Sequence, residues 1–94
     1  MITTFKRFKL GRIIPTKRIV DIIKESKDYQ EWVEYCLNRY ASRDWGCLGD
    51  EDKTLNDEAI KNRERVMARY ANPDGNILIV TEGGATTVLL QDEY

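Results

Sequence analysis

The chain contains no histidine and has only two cysteines. Without histidine, the commonest general base is missing, and so are the Ser–His and Cys–His pairs that activate a nucleophile. Cys36 and Cys47 form no C-x-x-C pair, so a zinc site would need carboxylates as its remaining ligands, which is unusual. We therefore expect two reduced thiols, no metal, no cofactor and no enzymatic activity.

Long apolar runs are also missing. No run approaches the ~20 residues that span a bilayer, so we expect no membrane insertion. The first residues carry charges where a secretory signal requires an apolar region, which predicts a cytoplasmic protein. The charged fraction of 33% and hydrophobic fraction of 41% are typical of a folded protein. Residues 1–94 are expected to form one domain with a modest core.

Charge is distributed unevenly along the chain. The first 18 residues contain no acid and six basic residues, namely Lys6, Arg7, Lys9, Arg12, Lys17 and Arg18. The other 76 residues hold nine basic and sixteen acidic side chains, a balance of −7. Residues 1–10 are therefore interpreted as a basic arm or an edge strand. Such a strip could bind nucleic acid or an acidic partner through residues 6–18, or it could be a solvated edge that discourages strand aggregation.

Apolar periodicity predicts three helices. After an extended segment at 3–14 that ends at Pro15, Thr16 is the expected N-cap of a short helix. Asp28 is the expected cap of a second helix, which places Cys36 on its core face. A third helix is predicted from near Asp50 to about Ala71. The apolar stripe of the second helix consists of Tyr29, Trp32, Val33, Cys36, Leu37 and Tyr40.

The junction RDWGCLGDEDK, residues 43–53, has two readings. It could be an acidic binding site, or a sharp turn whose carboxylates stabilise the third helix. Residues 50–52 would occupy the first turn of that helix, where negative charge is favourable, and the spacing of a calcium loop is absent. Capping does not explain Asp44 and Trp45. Trp45 either fills the gap between two helices or forms the wall of a binding surface.

The C-terminal sequence NILIVTEGGATTVLLQ predicts a β-hairpin that turns at Gly83 and Gly84 and pairs Glu82 with Ala85. Both faces of this hairpin are substantially apolar. Since helices cover one face, we expect the N-terminal segment or a second copy of the chain to cover the other, which favours a homodimer. The expected fold is α+β, with three helices packed on a small antiparallel sheet that contains the hairpin.

Several motifs carry a resemblance. They are DWG at 44–46, EDK at 51–53, Asn56, Ala59, Arg65, Tyr70, ILIVTE and TTVLLQDEY. With these the chain resembles, over residues 11–94, a family of small proteins encoded on phages, plasmids and integrative elements of Firmicutes. Members are labelled "plasmid-related protein" or "restriction endonuclease subunit M". The second label requires a glycine-rich cofactor-binding domain, which is absent here and would not fit in 94 residues.

The chain departs from this family at several positions. Tyr40 stands where relatives have histidine, and Arg43 stands where they have glycine. Gly83 and Gly84 replace a longer charged hairpin tip, and Gln91 replaces a proline. The basic extension before Gly11 is also longer than in relatives.

Three functions follow as hypotheses. The first is a non-enzymatic protein of a mobile element, which binds a host protein such as a defence component in the host cytoplasm; its expected contact residues are Asp44, Trp45, Asp52, Asp92, Glu93 and Tyr94. The second is an oligomeric binder of a small nucleotide-type ligand, contacted by Thr81, Gly83, Gly84, Thr86 and Thr87. The third is nucleic-acid binding through the basic residues of segment 6–18.

Overall fold

The computed structural model describes residues 8–94 and has the α+β fold predicted from the sequence. The predictions for residues 3–7, and with them Lys6 and Arg7, lie outside this range. Within it, no helix combines the length and the apolar character that a membrane crossing demands. The elements in chain order are β1 (Arg12–Pro15), α1 (Lys17–Glu25), α2 (Lys27–Ala41), α3 (Asp50–Asn62), β2 (Val66–Tyr70), β3 (Ile77–Glu82), β4 (Ala85–Leu90) and a 3₁₀ turn (Gln91–Glu93).

The four strands form one sheet in the order β1-β4-β3-β2. The C-terminal hairpin has the predicted register, with Glu82 opposite Ala85, and both turn glycines have positive φ. Because a two-residue turn of this kind requires positive φ at both positions, glycine suits Gly83 and Gly84. The first strand pairs with β4 in parallel, so the sheet is mixed and not purely antiparallel.

The third helix is shorter than predicted, because it ends at Asn62 and not near Ala71. Arg63 adopts a left-handed conformation with φ 57°. Its N–H donates to the carbonyl of Ile60 at 3.3 Å, and the N–H of Glu64 donates to that of Ala59 at 2.8 Å. These two bonds form a Schellman motif, which ends a helix. Residues 66–70, predicted as helix, instead form β2 with alternating buried side chains.

The helix starts agree with the sequence in two cases of three. Thr16 caps α1 as predicted, and its hydroxyl accepts the N–H of Ile19. Residues 50–52 occupy the first turn of α3, also as predicted. The cap of α2 is Ser26, not Asp28, because the Ser26 hydroxyl accepts the N–H of Tyr29 at 3.2 Å. Asp28 lies in the first turn instead, where its charge interacts favourably with the helix dipole.

The core lies between the three helices and one face of the sheet. Ile19, Cys36, Tyr40, Ile79 and Val88 are fully buried in it. Burial raises the pKa of the Cys36 thiol to about 11, which makes this cysteine an unreactive core residue. Leu78 is also buried but lies outside this core cluster, on the opposite face of the sheet. The helices between residues 8 and 94 therefore leave that second face without a helical layer.

A chain of hydroxyl groups crosses the sheet at its hairpin end. The Thr86 hydroxyl donates to the carbonyl of Leu10 at 2.6 Å and lies 2.7 Å from the Thr81 hydroxyl. The Tyr40 hydroxyl lies 2.8 Å from Thr81 and 3.1 Å from the carbonyl of Val66. Because the Leu10 carbonyl only accepts, Thr86 donates to it and Thr81 donates to Thr86. Tyr40 is the donor to Thr81, and the Val66 carbonyl is a second acceptor within reach of its single proton.

Side chains and a loop cover the outer edge of β2. The Asn56 amide donates to the carbonyl of Met67 at 2.8 Å and accepts its N–H at 3.4 Å, as a neighbouring strand would. Gly46 bridges to Arg69, whose carbonyl accepts the N–H of Cys47 at 2.8 Å. The opposite edge strand, β1, is four residues long and ends in Pro15. A short strand that ends in proline offers little to an incoming strand.

Candidate protein-interaction site

Asp44 stabilises the junction between α2 and α3 through hydrogen bonds. Its carboxylate accepts two hydrogen bonds from the Arg39 guanidinium, at 2.7 and 3.0 Å, and the N–H of Gly46 at 3.2 Å. These bonds, chiefly those from Arg39, hold the pKa of Asp44 below its usual value. Its carbonyl accepts the Tyr70 hydroxyl at 2.6 Å. The sequence could not explain Asp44 by capping, and the structure shows that it binds its own chain.

Trp45 lies inside the molecule, with 3% of its surface exposed. Its ring packs 5.7 Å from Phe8 and 5.5 Å from Tyr40, and its Nε1 donates to Asp57 at 3.2 Å. Of the two readings of Trp45, the structure shows the one in which it fills the gap between helices. Asp52 is exposed in the first turn of α3. Of the predicted contact residues Asp44, Trp45 and Asp52, the two aspartates therefore reach the surface and the tryptophan does not.

The C-terminal residues are attached to α1 and to the sheet. Asp92 forms an ion pair with Arg18 at 2.7 Å. Glu93 accepts the hydroxyl of Thr16 and the N–H of Leu90, both at 2.9 Å. Tyr94 is exposed and its ring lies 5.5 Å from the Arg65 guanidinium. The depression beside Asp44 shares no lining residue with the one beside Asp92, so these predicted contact residues do not form one pocket.

A groove that the sequence did not predict lies at the start of α2. Its floor consists of Ile22, Tyr29 and Trp32, and the rings of Tyr29 and Trp32 are tilted by 46° with centroids 5.6 Å apart. Asp28 and Asp74 line its walls, and its volume is about 580 Å³. We call it the aromatic groove. Asp74 also lines a separate depression of about 430 Å³ that contains Asp92.

The aromatic groove is acidic, and one of its polar groups has no partner. No cation among residues 8–94 forms an ion pair with Asp28 or Asp74. Tyr29 is only 7% exposed, and its buried hydroxyl has no hydrogen-bond partner among residues 8–94. Burial, supported by the charges of Asp74 and Glu93 among others, raises the pKa of this phenol. The hydroxyl is thus neutral and able to donate or accept.

Sequence reasoning missed this groove because it favoured a core position for Trp32 over a stacking surface. In the structure Trp32 packs against the core with one side and remains partly exposed on the other. The available signal was the pair of aromatic residues three positions apart at the beginning of a helix. The acid of the turn Asn72–Pro73–Asp74–Gly75 could not be assigned to the groove without knowing where that turn packs.

A further depression lies beside the hairpin turn, with a volume of about 540 Å³. It brings together three of the residues predicted to bind a ligand, Thr81, Gly83 and Gly84, with the cations Lys9 and Arg63. The Thr81 and Thr86 hydroxyls, however, bond to each other within the hydroxyl chain. Thr87 lies on the opposite face of the sheet, because it alternates with the buried Thr86 and Val88.

The basic residues of the predicted nucleic-acid surface are dispersed within the described range. Lys9 is exposed ahead of β1, Arg12 lies in β1 and Lys17 begins α1. Arg18 is engaged with Asp92, which raises the pKa of the guanidinium.

Among residues 8–94, no three side chains of the metal-binding types lie close enough together to hold an ion.

The chain was compared with known protein families, curated proteins and solved structures, and none of them matches.

Proposed function

We propose that this chain is a non-enzymatic interaction protein that binds a partner protein through the aromatic groove. The observation that carries the proposal is the partly exposed Trp32 ring, packed on the buried Tyr29 ring in a groove lined by two carboxylates that have no ion-pair partner among residues 8–94. The resemblance to proteins of mobile elements supports a host protein, including a defence component, as the partner.

The chemistry of the groove favours a basic segment of that partner. A guanidinium or ammonium group placed over the exposed side of Trp32 gains a cation–π interaction of ~0.5–2 kcal/mol. Asp28 and Asp74 stand on either side to pair with it, and both are exposed.

A peptide array tests this proposal. The full chain is probed with 12-residue peptides rich in arginine, lysine and leucine, with peptides that carry glutamine in place of the basic residues as the comparison, and selected peptides are titrated by calorimetry. Asp28→Asn combined with Asp74→Asn should weaken binding about tenfold, because each surface ion pair contributes up to ~1 kcal/mol. The matched control is Glu58→Gln combined with Asp21→Asn, which removes the same charge elsewhere. Equal binding of the glutamine peptides, or full affinity in the groove variant, would contradict the proposal.

The hairpin depression supports a second candidate, the binding of a nucleotide-type ligand. Lys9 and Arg63 could contact phosphate groups there, while Phe8 and Ile60 provide an apolar wall. A thermal-shift titration with ATP and with inorganic phosphate should then raise Tm in the native chain and not in Lys9→Gln. The control Lys17→Gln, outside this depression, should behave as the native chain does. No shift with either compound would remove this candidate.

A further inference from the structure

The face of the sheet that points away from the helices is apolar in the middle. Val80, Met67 and Leu89 are partly buried there, Leu78 is buried and Ile14 is 38% exposed. The register places these side chains on adjacent strands, since Ile14 pairs with Thr87, Val80 pairs with both Thr87 and Met67, and Leu78 pairs with Leu89. We call this surface the helix-free face. Its outward side chains extend over all four strands.

Arginines surround this apolar area. Arg12 in β1 and Arg69 in β2 share the parity of its apolar residues, as does Arg65 directly before β2, and Glu82 is an acid on the same face. The Arg69 guanidinium also donates to the Cys47 carbonyl at 3.3 Å. Glu82 is already paired with Arg65, at 3.3 Å, and Arg65 also contacts the Tyr94 ring. The face therefore carries an excess of positive charge, although residues 19–94 as a whole are acidic with a balance of −7.

This charge argues against a second copy of the chain as the occupant. In a two-fold stack of helix-free faces, each copy would bring the same three arginines to the interface, and opposing like charges weaken association. The area is also small. Four strands at ~4.8 Å spacing and rows of side chains over ~20 Å give a few hundred Å², below the ~800 Å² per partner of a stable dimer and in the range of a weak, transient contact with a single helix.

Charge complementarity and size together indicate the occupant. A helix is ~10 Å wide and rises 1.5 Å per residue, so one helix of about twelve residues spans such a face. A helical layer on this side would cover the second face of the sheet, as in other layered folds. The apolar middle selects an apolar stripe, and the arginines select acidic residues that flank it. Bases of nucleic acid would need aromatic platforms, and Tyr94 is the aromatic residue found here, already in contact with Arg65.

We infer that the helix-free face docks an acidic, amphipathic helix of a partner protein. This surface is separate from the aromatic groove, which is built from α1, α2 and the turn at 72–76 on the other side of the sheet. It extends the proposed function, because the chain would contact two partner segments of opposite charge. An experiment that finds no binding at one surface would not contradict binding at the other.

A designed probe tests the inference. A 14-residue peptide with a leucine stripe flanked by glutamates is titrated into the full chain by calorimetry, beside the same peptide with glutamines in place of the glutamates. We expect the glutamate peptide to bind at least tenfold more tightly. Arg12→Glu combined with Arg69→Glu should reverse this preference, and Arg12→Glu alone should reduce it if the double variant fails to fold. The control is Lys24→Glu combined with Lys61→Glu, which makes the same change of charge at exposed positions of α1 and α3 and should leave the preference for the glutamate peptide as in the native chain.

Three results would overturn the inference. They are equal affinity for the two peptides, an unchanged preference in folded Arg12→Glu variants, and a dimer in sedimentation experiments that Val80→Asp dissociates. The last would assign the face to a second copy. Stronger binding of a single-stranded oligonucleotide than of the glutamate peptide, lost in the Arg12→Glu variant, would assign it to nucleic acid and would equally contradict a protein helix.

Discussion

Individual threonine side chains show where sequence reasoning about ligands fails. Thr81 and Thr86 were predicted to offer hydroxyls to a ligand, yet both belong to the hydroxyl chain that joins α2, β3, β4 and the segment before β1. Two threonines in a hairpin look alike in the sequence whether they bind a ligand or each other. Only the register of the hairpin, which the sequence did predict, together with the position of Tyr40, distinguishes the two cases.

The direction of this hydroxyl chain yields a prediction. Thr86→Val removes the donor to the Leu10 carbonyl and should cost about 1–2 kcal/mol of unfolding free energy, because a buried acceptor loses its partner. Thr81→Val should cost less, since the Tyr40 proton can turn to the Val66 carbonyl 3.1 Å away. Denaturant unfolding of both variants measures the difference. Thr87→Val, on the helix-free face, is the control and should remain within ~0.5 kcal/mol. A larger loss in Thr81→Val than in Thr86→Val would contradict the proton order.

At the scale of elements, apolar residues repeating every two or every 3.6 positions were sufficient to predict strands and helices where the turn residues agreed with them. The Gly83–Gly84 turn gave the hairpin with its register, and the apolar stripe gave α2. The sequence failed at the end of α3 because the left-handed residue is Arg63 and not the glycine that usually marks such an end. With the stop signal missing, the strand VMARY was read as a continuation of the helix.

The same residue supports a prediction about stability. Arg63→Gly should raise the free energy of unfolding by about 0.5–1 kcal/mol, because a side chain with a β-carbon is disfavoured in the left-handed region. The control Arg63→Ala keeps the β-carbon and should show no such gain, which separates backbone strain from loss of the exposed guanidinium. Thermal unfolding of the three proteins measures both effects. A gain of equal size in the alanine variant would show that the charge, and not the backbone, is responsible.

For the whole molecule, the sequence predicted the fold class but not the surfaces. The double-sided apolar hairpin predicted that the N-terminal segment or a second copy of the chain covers the second face of the sheet. Within residues 8–94, β1 instead pairs with β4 at the edge of the sheet. The aromatic groove was not predictable, because its walls come from Asp28 in α2 and Asp74 in a distant turn. The arginines around the helix-free face come from two distant segments, Arg12 in β1 and Arg65 and Arg69 at β2, so their excess charge exists only after the sheet has assembled.

The parallel pairing of β1 with β4 has a consequence for how the protein is made. Arg12 pairs with Ala85 and Pro15 with Val88, so each residue of β1 needs a partner 73 residues further along the chain. During synthesis β1 leaves the ribosome while the residues that complete its hydrogen bonds are still untranslated. Contacts so distant in sequence form slowly, because a long loop must close before they are gained. The α1–α2 pair and the β2–β3 pairing can form from local sequence, but β1 joins the sheet only after β4 has been synthesised.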